Sequence, residues 1–478
     1  MPVTGQLLPG VRQLPTRYEV ANSLRLDGSS SNLSRTKGTS DSTKIGTYSW
    51  WIKNSKFSGQ NLINCGDAFA NSSAVYISSS NTLTVFSRIS NSNVLVLETD
   101  REFRDPSAWH NIVVAIDTTQ GTASNRVKVY VDGVQQTSFS TETYPDQNAD
   151  LRFFTSSETE KISSSTFESS GYFGGYMCEV VKVDGQALAP TSFGEFDEDS
   201  PTIWKPIDVS GLTFGTNGYY LDFEDSSNLG NNVSGGTDFT ENNIAATDQS
   251  TDTCTNNFAT LNPLNVPTSN APTFSDGNLT SSTSDSAQFG GTSTIGVSSG
   301  KWYAEFKGAE TGVEEKEMVG VTHAPAKDAR SGDNVGRTAE SFAIRFLDGQ
   351  QSNNNNASAY GSSFSLGDIC QVALDVDNNQ LYFGKNGQWG DGSGNFNQST
   401  PTSAITIPTI ANTTEGAYFF SVGDISSSSG RSLISCNFGS PPYSISSGNA
   451  DANGHGNFEY SVPSGYFALC SKNLAEFG

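Results

Sequence analysis

The chain is poor in basic residues, in histidine and in long apolar runs. It has 27 lysines and arginines against 50 aspartates and glutamates, three histidines, and a formal net charge of −23. Such a chain cannot neutralise a row of phosphates, so we expect no nucleic-acid partner and no binding to anionic membrane surfaces. No apolar run reaches the roughly 18 residues of a membrane-spanning helix, so no membrane insertion is expected. The first residues also lack the basic start and apolar stretch of a Sec signal peptide.

Cysteine is scarce, and its positions lie far apart. No CxxC pair indicates a zinc site, and most cysteines stand in apolar, strand-like surroundings. They are therefore predicted to be buried free thiols. The six are Cys65, Cys178, Cys254, Cys370, Cys436 and Cys470.

Glycine, serine, threonine and asparagine take the place of the missing residue types. Only 35% of residues are hydrophobic and 16% are charged, while 11% are aromatic. This mixture is typical of many short strands joined by long polar loops. The clearest example is the segment 109–135, in which Ile112, Val114 and Ile116 share one face of a strand. A second alternating run, VKVYV, follows and ends at Asp132-Gly133, which predicts a hairpin.

The first part of the chain resembles the laminin G-like, or concanavalin-like, jelly-roll family. The resemblance depends on "TYSWWIK" (47–53), on Trp109-His110 leading a strand, on "VKVYVDG", and on "FGGYMCEVVKVDGQAL" (173–188). It covers roughly residues 20–200 and implies a two-sheet antiparallel sandwich.

The last part of the chain resembles the SPRY family. Four motifs occur in that family's order: "KWYAEF" from residue 301, "VGV" from 319, "GDIC…LDVDNN…LYF…NG" from 367, and "NFG" from 437. The resemblance covers roughly residues 271–445 and implies a second antiparallel sandwich. The predicted fold class is therefore all-β, with two antiparallel β-sandwiches joined by a polar bridge rich in Asn, Asp and Ser.

Four segments follow from this reading. Residues 1–20 are predicted to form an N-terminal arm or anchor, although a free tail remains an alternative. Residues 21–200 form the first sandwich, residues 201–270 a partly packed bridge with one strand near Tyr219–Phe223, and residues 271–478 the SPRY-like sandwich.

The stretch around Asp375, Asp377 and Asn379 has the spacing with which a calcium loop begins. An EF-hand would then need glycine at its sixth position and glutamate at its twelfth, where this chain has Gln380 and Asn386. Apolar residues alternate on both sides of the stretch, so we interpret it as a hairpin turn. Laminin G-like domains often hold calcium, so the resemblance allows a structural calcium ion that the sequence does not locate. No other cofactor is expected, and metal ligands are unknown.

Catalysis is not expected from the motifs present. The string Glu195-Phe196-Asp197-Glu198-Asp199 approaches the E-x-D-x-E signature of some glucanases, but its last acid is Asp and Pro201 follows closely. We interpret it as a solvated acidic loop. The three histidines are scattered, and no G-x-S-x-G elbow, phosphate loop or dinucleotide fingerprint occurs. We therefore predict no catalytic residues and a protein that is not an enzyme.

Two loops combine aromatic and amide side chains, as glycan recognition requires. One is "LDGQQSNNNNASAYG" (347–361) and the other is "NGQWGDGSGNFNQ" (386–398). Loops on a rigid sandwich are common binding sites, although a hydrophobic cap and a polar loop tip are the alternatives. SPRY domains commonly bind short peptides, so a protein ligand is as plausible as a sugar. The candidate ligand-binding residues are Asn353, Asn354, Asn355, Asn356, Tyr360, Trp389 and Phe396.

The bridge, together with the two sandwiches, resembles segments of bacteriophage virion proteins. That resemblance implies a tail-fibre or receptor-binding protein in the virion, on the tail or capsid exterior. It would bind a host cell-surface glycan or protein, contact other virion proteins and form a homo-oligomer, most often a trimer in fibres. A capsid decoration or head-fibre protein is one alternative, and a polysaccharide-degrading glycosidase is another.

Overall fold

The computed structural model describes residues 17–283, 288–308, 316–425 and 432–478. The chain is nearly all β, with 41% of residues in strands and 6% in helices, which confirms the predicted fold class. Most of the predicted N-terminal arm, residues 1–16, lies outside the described residues. Within the described part of the chain, no helix is long and apolar enough to cross a membrane.

Two sheets form the first sandwich. Sheet I has the strand order β10-β9-β8-β3-β13-β1-β18, with β16 also paired to β13, and sheet II has the order β11-β7-β6-β5-β4-β12-β2-β17. A separate small hairpin contains β14 and β15. These strands are β1 (Ser23–Asp27), β2 (Asn32–Thr36), β3 (Ile45–Asn54), β4 (Gln60–Ala68), β5 (Asn71–Ile77), β6 (Thr82–Ile89), β7 (Ser92–Glu102), β8 (Trp109–Asp117), β9 (Val127–Val131), β10 (Val134–Gln135), β11 (Phe139–Thr143), β12 (Thr159–Ile162), β13 (Gly174–Asp184), β14 (Gly194–Phe196), β15 (Trp204–Pro206), β16 (Tyr219–Leu221), β17 (Thr240–Asn242) and β18 (Gln249–Ser250).

The core of the first sandwich follows from the alternation of apolar residues along its strands. On β8, Ile112, Val114 and Ile116 are fully buried, and the valines of β9 pack beside them. The hairpin predicted at Asp132-Gly133 is confirmed, because β9 and β10 pair antiparallel on either side of these two residues, and both have positive φ. Asparagine, aspartate and glycine tolerate this left-handed conformation best, which explains the Asp-Gly pair at the turn.

The bridge contributes strands to the first sandwich. Within it, β16 and β18 pair with strands of sheet I, and β17 pairs with β2 of sheet II. Tyr219, Leu221 and Phe239 are buried in the same core as β8. The predicted strand near Tyr219–Phe223 is thus present as β16.

Two further sheets form the second sandwich. Sheet III has the order β19-β20-β33-β22-β27-β28-β29-β30, with β31 on β28 and β34 parallel to β22, and sheet IV has the order β21-β32-β23-β24-β25-β26. The strands are β19 (Thr273–Ser275), β20 (Thr280–Ser282), β21 (Phe289–Thr292), β22 (Lys301–Gly308), β23 (Glu317–Thr322), β24 (Ser341–Arg345), β25 (Gln351–Asn353), β26 (Asn356–Ser358), β27 (Ile369–Asp375), β28 (Gln380–Lys385), β29 (Gln388–Gly390), β30 (Phe396–Gln398), β31 (Ile405–Thr406), β32 (Phe419–Asp424), β33 (Leu433–Asn437) and β34 (Phe467–Ala468).

Among the described residues, helical structure is limited to short segments. Helix α1 spans Pro325–Ser331 and helix α2 spans Ser471–Phe477. Single 3₁₀ turns lie at Ala123–Asn125, Pro190–Ser192, Ala246–Asp248 and Ile410–Asn412.

The stretch with calcium-loop spacing is a hairpin turn, as predicted. Strands β27 and β28 pair antiparallel around it, and Asn379 in the turn has a positive φ of 57°. The Asp375 carboxylate is already occupied, because it accepts the Asn378 backbone N–H at 3.0 Å and lies 2.8 Å from Lys301 Nζ. No group of three or more His, Cys, Asp or Glu residues suited to a metal ion occurs among the described residues.

All six cysteines are free, and five of them are buried, in agreement with the prediction. Cys254 is half-buried, and its Sγ lies 3.6 Å from Sγ of Cys178.

The two sandwiches contact each other directly. The Arg25 guanidinium of β1 is buried and donates to the carbonyl of Pro441 at 3.0 Å. The Tyr176 hydroxyl of β13 donates to the carbonyl of Gly277 at 3.0 Å. In the opposite direction, the side-chain amide of Asn278 in the second sandwich donates to the carbonyl of Ser55 in the first at 3.1 Å. Polar groups from both sandwiches therefore hold them together.

Candidate functional site

A groove lies on the solvent-facing side of sheet II. It has a volume of about 330 Å³ and is bounded by β4, β5, β6 and the loop that follows β12. Alternation along these strands explains why this face is open: Val75, Ile77 and Val85 point into the core, so Tyr76 and Phe86 point out. The lining residues are Gly59, Gln60, Asn61, Asn64, Phe69, Ser72, Ala74, Tyr76, Phe86, Ser165, Phe167, Glu168 and Ser170.

Aromatic rings form the floor and one wall of this groove. Phe69, in the turn between β4 and β5, is 54% exposed, which is unusual for a phenylalanine. Its ring meets the ring of Phe167 edge-on at 5.7 Å between centroids. The Arg88 guanidinium lies 4.4 Å from the centroid of Phe69 and adds a cation–π contact. Burial raises the pKa of Tyr76, so this phenol is neutral at ordinary pH.

Polar groups at the edge of the groove are held in place by the 165–170 loop. The Asn64 carboxamide oxygen accepts from the Thr166 hydroxyl at 2.8 Å, and the Asn61 amide donates to the carbonyl of Gly171 at 3.2 Å. The exposed Glu168 carboxylate accepts from the Ser170 hydroxyl at 3.1 Å. Together with the rings, these groups give a concave apolar surface bordered by hydrogen-bonding side chains, which is the usual make-up of a small-ligand site.

Sequence reasoning did not identify this groove. One signal was available, because Phe69 stands in the polar stretch "GDAFANSS" (66–73), where a turn leaves a phenylalanine without strand neighbours. Its partner Phe167 lies almost a hundred residues later in another polar stretch, "SSTFESS" (164–170). Only the pairing of β12 with β4 brings the two together.

Two of the predicted ligand-binding residues lie in the core. Tyr360 is 2% exposed, and its hydroxyl donates to the carbonyl of Ser403 and accepts the Phe383 backbone N–H, both at 3.0 Å. Trp389 is 3% exposed, lies with its ring centroid 6.5 Å from that of Tyr303, and belongs to a buried cluster with Phe458 on the outer face of sheet III. The C-terminal segment covers that face, and Tyr360 lies in the main core of the second sandwich, so neither ring is available to a ligand.

The other predicted residues lie nearer the surface. Asn354 and Asn355 form the exposed turn between β25 and β26, and Asn356 is exposed beside them. Asn353 is half-buried, and its amide donates to the carbonyl of Ser341 at 2.8 Å. Phe396 is half-buried against Phe364 and Tyr360, with ring centroids 5.4 and 6.4 Å away. The structure therefore brings the aromatic members together as packing and leaves the three asparagines at a hairpin tip.

The acidic string forms part of the small β14–β15 hairpin. Glu195 is exposed and lies 3.2 Å from Lys205, while Asp197 pairs with Arg17 and with Lys205. Hydrogen bonds from the Arg17 guanidinium and from the backbone N–H groups of Asp199 and Ser200 hold the pKa of Asp197 below its usual range. Both carboxylates are engaged in ion pairs, in which Glu195 is exposed and Asp197 is buried.

Two parts of the chain match known families. Residues 27–189 match the family described as the concanavalin A-like lectin/glucanases superfamily, in its Laminin_G_3 branch. Residues 301–405 match the SPRY domain family. Comparison with curated proteins gave no match.

Solved structures that match parts of this chain include three proteins of different kinds. The SPRY domain of human HERC1 is 22% identical, covers 33% of this chain and 87% of its own, and has a TM-score of 0.25. The native heptameric SAP-like pentraxin from Limulus polyphemus is 15% identical, with coverages of 36% and 80% and a TM-score of 0.28. Stonustoxin is 20% identical, with coverages of 37% and 27% and a TM-score of 0.27. The family matches show that this chain carries a concanavalin A-like domain of the laminin G type, followed by a SPRY domain.

Proposed function

We propose that the protein is a non-catalytic binding module whose ligand is a glycan held in the groove of sheet II. The observation that carries this proposal is the exposed Phe69 ring beside Phe167, at the border of a groove that also contains Asn61, Asn64 and Glu168. A sugar ring has an apolar C–H face and a rim of hydroxyls. The aromatic rings suit its face, and the amide and carboxylate groups suit its hydroxyls.

The size of the groove supports a small ligand or the end of a longer one. A volume of about 330 Å³ lies at the lower end of the range for small-molecule sites. The groove is open on its solvent side, so a polysaccharide could continue beyond it. A lectin-like fold and a SPRY domain both suggest a binding function, which supports the proposal.

Binding to immobilised glycans tests the proposal. The strongest ligand from a glycan array is titrated against the wild-type protein and against Phe69→Ala, by calorimetry. Loss of the ring should weaken binding at least about tenfold, equal to about 1.4 kcal/mol. Phe196→Ala is the matched control, since Phe196 is also exposed but lies on the β14–β15 hairpin. Equal affinity of wild type and Phe69→Ala would refute the groove as the site.

For the biological setting, we propose a bacteriophage virion, with the protein on a tail fibre as a receptor-binding subunit. This proposal depends on the resemblance of the Asn/Asp/Ser-rich bridge to virion proteins, and it includes a homo-oligomer that contacts other virion proteins. Purified protein should then adsorb to host cells and compete with virions, and saturating protein without competition would refute it. Antibody labelling on capsid faces would favour the head-decoration alternative instead.

A further inference from the structure

A buried lysine meets a carboxylate and a carboxamide where the first sandwich joins the segment leading to the second. Lys53 lies near the end of β3, and its side chain and that of Asp252 are each 1% exposed. Its Nζ lies 2.7 Å from Asp252 Oδ2, 2.7 Å from Asn257 Oδ1 and 2.8 Å from the carbonyl oxygen of Phe258. All three acceptors belong to the segment 252–258.

Burial displaces this lysine toward the uncharged amine, although Asp252 favours the ammonium ion. The Tyr176 ring centroid is 5.5 Å from Nζ, and the Trp109 indole closes another side by donating to Asp252 Oδ1 at 3.1 Å. Burial lowers the pKa of Lys53 and raises the pKa of Asp252, so each partner is displaced toward its neutral form. A neutral amine is a nucleophile, whereas an ammonium ion is not.

The Asn257 carboxamide is fixed in place beside the amine. Its Nδ2 donates to the carbonyl of Ser107 at 2.6 Å, and its backbone N–H donates to Ser471 Oγ at 3.0 Å. A carbonyl bond is about 1.2 Å long, so the amide carbon lies within about 4 Å of Lys53 Nζ. That separation is close to the 3 to 3.5 Å, roughly, of a near-attack geometry.

We propose that Lys53 and Asn257 condense into an intramolecular isopeptide bond, with Asp252 transferring the proton. The Lys53 ammonium gives one proton to Asp252, and the resulting amine forms a C–N bond to the Asn257 side-chain carbon. The bond from that carbon to Nδ2 then breaks. The second amine proton moves to the departing nitrogen, which leaves as ammonia, and Asp252 returns its proton to give ammonium. The third lysine proton remains on the new amide, and no oxidant, metal or cofactor is needed.

The bond would join β3 of the first sandwich to the start of the segment that enters the second. The two residues are 204 positions apart, so the cross-link closes a very large loop. Just after Asn257, Phe258 bridges to Cys470 and the Ala259 N–H donates to the carbonyl of Leu469, both within the second sandwich. The cross-link would therefore tie both sandwiches together without a disulfide.

Peptide mass mapping of the purified, folded, full-length protein tests the proposal. Trypsin should fail to cut after Lys53, and the peptide containing Lys53 should be joined to the one containing Asn257. The joined pair should weigh one ammonia molecule less than the sum of the linear peptides. Recovery of the two linear peptides at full mass would overturn the proposal. A deficit of one water molecule, mapped to Lys53 and Asp252, would overturn the assignment of Asn257.

Two variants make the result specific. Asn257→Ala removes the acceptor and keeps the Lys53–Asp252 ion pair, so it should fold and show no mass deficit. Asn256→Ala changes the neighbouring asparagine and should keep the full deficit. The deficit persisting in Asn257→Ala would overturn the proposal, and its loss in Asn256→Ala at unchanged melting temperature would do so as well.

Discussion

Glu179 and Glu305 are buried carboxyl groups with different hydrogen-bond partners. Glu179, at the irregular position of β13, accepts from the hydroxyls of Tyr220 at 3.0 Å and Tyr18 at 3.1 Å. Glu305 on β22 accepts from the Tyr303 hydroxyl and from two backbone N–H groups, those of residues 459 and 460. Burial is the largest effect on both, and it raises each pKa from 4.5 to about 7.

Glu179→Gln should stabilise the protein in a pH-dependent way. The folded-state pKa lies above that of the unfolded chain, so the stability present below about pH 4.5 is lost as the pH rises to about 7. Glutamine cannot ionise and avoids that loss, while hydroxyls can rotate to suit its amide. At pH 8 the variant should be more stable than wild type by up to about 3 kcal/mol, with no gain near pH 4.5. Urea unfolding at the two pH values measures this, and an equal gain at both would contradict it.

Glu305→Gln is the contrasting change at a carboxyl with a similar pKa. A carboxamide has one acceptor oxygen, whereas Glu305 uses its two oxygens for two separate backbone N–H groups. One buried N–H would lose its partner, at a cost of about 1–3 kcal/mol. Glu305→Gln should therefore be destabilised at pH 4.5, where Glu179→Gln is neutral. Stabilisation of Glu305→Gln at that pH would show that backbone pairing is not the role of this residue.

At the scale of elements, the asparagine run illustrates how turn geometry selects residue type. Asn354 and Asn355 have φ values of 50° and 58° in the two-residue turn between β25 and β26. Side chains with a Cβ atom are strained in this left-handed region, and asparagine and glycine tolerate it best. The hairpin alone therefore gives these two asparagines a structural reason to be present.

Substitution at Asn355 tests whether the turn geometry constrains this residue. Asn355→Val should lower the free energy of unfolding by about 1–2 kcal/mol, because a β-branched residue suits a positive φ poorly. Asn355→Gly should leave stability unchanged or slightly higher, since glycine accepts the same backbone. Thermal unfolding followed by circular dichroism checks both changes. Equal stability of the valine and glycine variants would mean that the turn does not constrain the residue.

Alternation of apolar residues in the sequence predicted local elements well. The hairpins β8–β9 and β27–β28 are present with the expected inward faces, since period-two patterns and turn residues lie close together in the chain. The sequence pattern could not show which distant segments of the chain pack over a given side chain. The sequence places Trp389 where a strand gives way to a loop, yet Trp389 is buried in a cluster that includes Phe458, from a segment some seventy residues later. Phe69 and Phe167 form the candidate groove for the same reason, because distant segments meet only in the folded chain.

In the molecule as a whole, residues of the predicted bridge pack into the cores of both sandwiches. The polar bridge carries Tyr219, Leu221 and Phe239 into the first core. Ala259 and Leu261, still within the predicted bridge, belong to the second core. Asparagine-rich and glycine-rich stretches are predicted to be linkers because their few apolar residues are widely spaced. The boundaries at residues 200 and 270 therefore stay predictions that fragments can test.

Two pairs of fragments make that test. A fragment of residues 17–251 should fold, whereas 17–200 lacks β16–β18 and the side chains of Tyr219, Leu221 and Phe239. Likewise, 256–478 should be more stable than 271–478, which loses Ala259 and Leu261. Full burial of one large apolar side chain contributes about 1.5–3 kcal/mol, so each shorter fragment should lose at least that much. Urea unfolding of the four fragments measures the differences. If the two fragments of a pair were equally stable, the boundary predicted at residue 200 or 270 would be correct. The packed bridge residues would then contribute nothing to the stability of that core.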